Sequence, residues 1–122
     1  MEKEREEQVI SLCQKLIQQK SYSGEESGVV GVLSENMKQM GFDEVTVDKY
    51  GNIIGCIKGN RPGKKVLFDG HIDTVPVTEE AEWLYPPFAA EIHDGKIYGR
   101  GTSDMKGAVA AMTCAASNYA KD

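Results

Sequence analysis

His71 and Asp73 stand two residues apart at the end of a short apolar run, in the stretch Leu67-Phe68-Asp69-Gly70-His71-Ile72-Asp73. An imidazole nitrogen binds zinc at about 2.0–2.1 Å, and its second nitrogen then needs an acceptor, often a carboxylate. In an extended segment residues i and i+2 share a face, so Asp73 can reach back to the His71 ring. An H-x-D pair alone is a weak signal and more often closes a loop by a hydrogen bond. A second acid, Asp104, follows Gly99-Arg100-Gly101-Thr102-Ser103 and precedes a helical pattern. Alone it reads as a helix N-cap. With His71 it reads as a carboxylate whose two oxygens can bridge two metal ions about 3.5–4 Å apart. Gly99 and Gly101 let the backbone take positive φ and come close to such a site. His71 and Asp104 are thus the candidate metal ligands, and Asp73 is the candidate catalytic-site acid that orients His71.

The elements that must position these residues follow from periodicity. Val9, Ile10, Cys13, Leu16 and Ile17 have helical spacing, which predicts an amphipathic helix over about 2–19, with Glu2, Glu4, Glu6 and Glu7 at its positive end. Ser23 and Glu26 have the spacing of a capping box for a second helix that buries Val29, Val30, Leu33, Met37 and Met40 and stops at Gly41. Val45 and Val47 alternate with polar residues as in a half-exposed strand, Tyr50-Gly51-Asn52 is a turn, and Ile53 to Ile57 is a second strand. Val66-Leu67-Phe68 is continuously apolar, as in a strand buried on both faces, and leads directly into His71. Ala90 to His93 and Lys96 to Tyr98 flank Asp94-Gly95, a hairpin signal. Apolar residues at 105, 109, 112, 116 and 119 mark a third helix. About five strands and three helices imply an α/β domain, with three α/β/α layers around a mixed sheet. His71 then lies at the carboxyl end of a strand, where open α/β sheets place their sites.

Composition narrows the partners. The net charge of −5 argues against nucleic acid and against an anionic membrane surface. No stretch approaches the roughly 20 apolar residues that span a bilayer. The acidic start MEKEREEQVI is unlike a signal peptide. Cys13, Cys56 and Cys114 are odd in number and far apart, which suits a reducing, cytoplasmic setting better than a disulfide framework.

Order and spacing together support a resemblance. Phe68-Asp69-Gly70-His71-Ile72-Asp73-Thr74-Val75-Pro76, Trp83, Pro87-Phe88, Asp94-Gly95 and Gly99-Arg100-Gly101-Thr102-Ser103-Asp104-Met105-Lys106-Gly107 resemble the N-terminal part of a zinc-dependent metallopeptidase family. Its members are aminoacylases, carboxypeptidases and deacylases, including acetylornithine deacetylase and succinyl-diaminopimelate desuccinylase. Ser21 to Glu26 and Tyr50 to Gly55 look most like the selenium-metabolism-linked hydrolase branch. The resemblance covers nearly the whole chain. It implies a metal-dependent hydrolase of amide bonds in small peptides or N-acyl amino acids, with two zinc ions; cobalt or manganese would suit the same donors. In it the residue at His71 binds one metal, the residue at Asp73 orients that histidine, the residue at Asp104 bridges both metals, and the peptide after the bridging aspartate is often cis.

The chain departs from that family in extent. Members are three or four times longer and carry a Glu-Glu pair, a further acid and a final histidine downstream, plus a lid or dimerisation domain; none lies between Lys106 and Asp122. The expectation is that residues 1–122 are the N-terminal portion of the catalytic domain and are inactive alone. The alternative is a non-catalytic fragment, or a half-site module that needs a second chain. Glu79-Glu80 reads as a solvated acidic loop and no substitute for the missing pair. His93 reads as a hairpin histidine. Trp83, Pro87 and Phe88 read as loop packing, Arg100 as a loop clamp, and Lys106 as a partner of Asp104 or a solvated side chain. The apolar run at Val66 to Phe68, left as an edge, implies self-association or a homo-oligomer.

Overall fold

The computed structural model describes residues 2–120. Helix α1 (Glu2–Gln18) buries Leu12, Cys13, Leu16 and Ile17 on one face and carries Glu2 and Glu4 in its first turn. Helix α2 (Ser27–Gln39) buries Val29, Leu33 and Met37. It ends as glycine-terminated helices do: the Gly41 N–H donates to Lys38 O at 3.1 Å and the Phe42 N–H to Met37 O at 3.1 Å, with Gly41 at φ +87°. Helix α3 (Gly107–Ser117) buries Val109, Ala110, Thr113, Cys114 and Ser117. The three buried faces meet in one cluster, completed by Ala90, with Met105 and Met112 packed at its margin. The α3 stripe is thus shifted from the expected one, and Tyr119 is exposed.

The strands form two separate antiparallel pairs. β1 (Glu44–Val47) pairs with β2 (Ile53–Cys56), with Val45 opposite Gly55. Asp48 builds the turn between them: its carboxylate accepts from the Tyr50 and Asn52 N–H groups at 2.9 and 3.0 Å and from the Asn52 amide at 2.9 Å. Those bonds hold the Asp48 carboxyl below the usual carboxylate range. β3 (Glu91–His93) pairs with β4 (Lys96–Tyr98). Asp94 and Gly95, at φ +52° and +75°, make the left-handed two-residue turn that Asp-Gly favours.

The α/β class holds, but among the described residues the strands do not join into one mixed sheet between helical layers. The run Val66-Leu67-Phe68 is the main departure. It is no strand, and its side chains are 77%, 85% and 66% exposed. A strand is defined by its neighbours, and no described segment hydrogen-bonds to this one. Further along, outside the expected strand, the chain makes a single parallel bridge between Tyr22 and Thr74, where the Thr74 N–H donates to Ser21 O at 2.9 Å. No helix among the described residues is long and apolar enough to cross a membrane.

All three cysteines are free thiols, with Cys13 and Cys114 buried and Cys56 half-buried. Burial raises the pKa of both core thiols; at Cys13 the Lys106 ammonium opposes this. Only the thiolate is nucleophilic. Cys56 is therefore expected to react with an aromatic disulfide reagent on the order of 100-fold faster than the other two, which wait on opening of the helical core. Mass mapping of the labelled chain would show this, and equal rates at the three sites would contradict the packing described.

Candidate metal centre

The site is assembled by two segments that converge on the end of α1. The first is the extended stretch that ends at Thr74. Its last residues are tied to the α1–α2 connection: Ser21 Oγ donates to Ile72 O at 2.8 Å, and the Tyr22 hydroxyl accepts the Val77 N–H at 3.0 Å. The second is the loop Gly99–Lys106. Here the chain kinks just before α3, and Asp104 (φ −132°, ψ 89°) and Met105 (φ −140°, ψ 35°) leave helical geometry. The Asp104–Met105 peptide is cis, as the resemblance implied.

Lys106 fixes the second segment. It is only 1% exposed, and its Nζ donates to Leu16 O at 2.8 Å and Gln19 O at 2.9 Å. These are carbonyls at the C-terminal end of α1, where a cation is favoured; Leu16 O also accepts the Gln19 N–H at 3.3 Å. The expected partnership with Asp104 is not found, and the side chain is not solvated; it reaches across to α1 instead. Burial lowers the ammonium from 10.5 to about 8, with Cys13 opposing, so it still carries its charge at neutral pH. Its backbone N–H also donates to Gly101 O at 2.7 Å. Gly101 has φ +85°, and a Cβ there would lie 2.5 Å from Thr74 Cγ2, so this residue has to be glycine for the two segments to touch.

The three predicted residues are brought together. His71 Nε2 faces Asp104 Oδ1 at 2.8 Å. His71 Nδ1 faces Asp73, with the backbone O at 3.1 Å and Oδ1 at 3.2 Å. Ser23 Oγ donates to Asp73 Oδ2 at 2.5 Å. The hydrogen bond to Asp104 raises the His71 pKa, aided by the Asp73 carbonyl and by both carboxylates and opposed by burial. The Ser23 hydroxyl is the first cause that lowers the Asp73 pKa. The His71 and Asp104 side chains are open to solvent, at 48% and 86%.

The donor types suit a divalent metal: one imidazole, one carboxylate beside it, and a second carboxylate turning the ring. The number does not suffice, because among the described residues no group of three or more His, Cys, Asp or Glu side chains is arranged to hold an ion. Glu79 and Glu80 are exposed on a short turn, with Glu79 at φ +53°, and His93 pairs with Glu91 at 3.0 Å while stacking on Tyr85 at 3.8 Å. Arg100 caps Trp83 with its guanidinium 4.9 Å from the ring, and its backbone N–H donates to Pro87 O at 2.8 Å; both contacts hold the stretch with Trp83 and Pro87 on the domain.

Ser23 was missed by sequence reasoning. Its spacing to Glu26 suggested a capping box, but Glu26 accepts the Gly24 N–H at 2.6 Å and α2 starts without a side-chain cap. The serine is spent on Asp73, 50 residues away, and local spacing carries no signal of that.

The model of peptidase family M20/M25/M40 matches residues 67–122, which include all three of these side chains. The succinyl-diaminopimelate desuccinylase of Vesicomyosocius okutanii subsp. Calyptogena okutanii (strain HA) is 37% identical over 115 residues, 93% of this chain. The chain belongs to the M20 family. It spans 30% of the length of that desuccinylase. The M20 family metallo-carboxypeptidase Sso-CP2 from Sulfolobus solfataricus superposes with a TM-score of 0.76 at 26% identity, over 94% of this chain and 26% of that one. That likeness confirms the α/β fold in its M20 form and the N-terminal part as the matched portion.

Replacing Lys106 with methionine keeps the apolar stem but strips two charge-assisted bonds, a buried one to Leu16 O and a half-buried one to Gln19 O. The expected cost is about 2 kcal/mol at pH 7, since hydrogen bonds to charged groups are worth roughly 1.5–3 kcal/mol. Urea denaturation reads it, and a midpoint within error of the wild type would mean that Lys106 does not anchor the loop.

Proposed function

We propose that this chain contributes one wall of a two-metal amide-hydrolysing centre, as the N-terminal portion of an M20 catalytic domain. The observation that carries the reading is the His71–Asp104 contact of 2.8 Å with Asp73 held against the other ring nitrogen. His71 Nε2 and an Asp104 oxygen would hold metal, with Asp104 free to share its second oxygen. Asp73 is a positioning residue: pinned by Ser23, it sets the His71 ring plane and favours Nε2 as the ligating atom. A zinc ion, or cobalt or manganese, would supply Lewis acidity toward an amide carbonyl and water. The desuccinylase and carboxypeptidase relatives suggest a small peptide or N-acyl amino acid as substrate. Three free cysteines agree with a reducing, cytoplasmic setting.

Two ligands fall short of the three or four that zinc takes. The remaining ligands and the general base come from outside the described residues, from a further part of the protein or from a second chain. Loss of a general base alone costs roughly 10²–10⁴-fold in rate.

A calorimetric zinc titration of the purified chain, beside a hydrolysis assay on N-succinyl and N-acetyl amino acids, tests this reading. Half of a complete structural site, which gives about 10–16 kcal/mol, corresponds to micromolar binding or weaker. The expected result is such weak binding, abolished by His71→Ala and reduced by Asp104→Ala, with no hydrolysis above background. Zinc binding untouched by His71→Ala would refute the site. Hydrolysis by the chain alone that disappears in His71→Ala would refute the half-site.

A further inference from the structure

The turn between α1 and α2 reaches the site through more bonds than docking requires. Tyr22 to Glu25 form a tight turn, with the Glu25 N–H donating to Tyr22 O at 2.7 Å and Gly24 at φ +91°. A type II turn asks for such a φ at its third residue, and glycine takes it without strain. A Cβ on Gly24 would meet nothing within 4 Å, so the glycine answers to the turn and not to a neighbour. Three bonds dock the residues before it on the segment that follows His71. Ser21 Oγ donates to Ile72 O at 2.8 Å, the Thr74 N–H to Ser21 O at 2.9 Å, and the Val77 N–H to the Tyr22 hydroxyl at 3.0 Å. None of these needs Ser23. The Ser23 hydroxyl goes instead to a side chain of the site, Asp73 Oδ2, at 2.5 Å.

A carboxylate is planar, so holding Oδ2 also sets the direction of Oδ1. Asp73 Oδ1 lies 3.2 Å from His71 Nδ1, beside the Asp73 backbone O at 3.1 Å, while Asp104 Oδ1 lies 2.8 Å from Nε2. A neutral imidazole has one N–H, so the two acids compete for it. We propose that Ser23, aimed by Gly24, is a positioning residue that weights this competition toward Asp73. The Asp104 side chain is 86% exposed and free to swing away, whereas Asp73 is held. With Ser23 in place, the Asp73 carboxylate and carbonyl both wait on the Nδ1 side. Without the hydroxyl the carboxylate turns to water, and the proton shifts toward Nε2, the nitrogen through which His71 would ligate. That last consequence rests on the function proposed above; the tautomer does not.

Ring-nitrogen NMR of the metal-free, labelled chain reads the tautomer ratio in alkaline buffer, where His71 is neutral, with His71→Ala to assign its signals. Ser23→Ala is expected to move the ratio toward Nε2–H by about threefold or more, the worth of one modest hydrogen bond. Ser23→Thr keeps the hydroxyl and is expected to match the wild type. Gly24→Ala is expected to move the ratio as Ser23→Ala does, because a β-carbon at that φ strains the turn and touches nothing at the site. Calorimetric zinc affinity is expected to fall in the same order. A ratio in Ser23→Ala that is unchanged, or moved toward Nδ1–H, overturns the proposal, and so does a shift that Ser23→Thr shows as well. A wild-type ratio in Gly24→Ala overturns the part given to the turn. If the ratios shift as expected while no form binds zinc, the positioning role stands and the proposed metal centre falls. Urea midpoints check each fold, and if Gly24→Ala unfolds the chain, the two Ser23 variants decide.

Discussion

The Lys106 ammonium is the tie on which the site depends. Taking a lysine out of water is unfavourable, and its depressed pKa records that penalty. The return is geometric. Two carbonyls at the end of α1 accept from one nitrogen, so the loop that bears Asp104 is fixed to the helix that supplies Leu12, Cys13, Leu16 and Ile17 to the core. Asp104 itself is almost fully exposed and has little packing of its own. Its position is inherited from a buried neighbour two residues along the chain and from Gly101, whose missing Cβ admits Thr74.

The other half of the site is held differently. His71 is on an extended segment whose upstream part has no partner strand among the described residues, so its order comes from downstream: Ser21 and Tyr22 grip Ile72, Thr74 and Val77. Ser21 and Tyr22 closely follow the helix that Lys106 caps, so one structural corner, the C-terminus of α1, organises both His71 and Asp104. Removing the cap would therefore disturb more than a local helix end.

Much of this was legible in the residue pattern, and the misses share a cause. The Asp94-Gly95 hairpin, the two amphipathic helices and the glycine stop at Gly41 depend on interactions within a few residues, and periodicity and turn chemistry report those directly. His71, Asp73 and Asp104, which the structure brings together, were singled out because the spacing of His71 and Asp73 is itself local and because the flanking motif resembles a known family. Lys106 and Ser23 were misassigned because their partners lie 87–90 and 50 residues away. Near a helix start a lysine appears ill placed when only its own helix is considered; the helix it serves is another one. Val66 to Phe68 was read correctly as an apolar segment and wrongly as a buried strand, because burial belongs to neighbours and not to the segment.

The two acids beside His71 are held to unequal degrees, and that asymmetry fits the roles proposed for them. Asp73 is bound on one oxygen by Ser23 and lies against Nδ1 with the other, so it can turn the ring. Asp104 touches only Nε2, with one oxygen, and its second oxygen faces solvent. A carboxylate that bridged two ions would have to stay open in this way. The bond that joins Asp104 to His71 also occupies the Nε2 position through which the imidazole would ligate. A proton and a metal ion would therefore compete for the same nitrogen, with Asp73 lying against the other one.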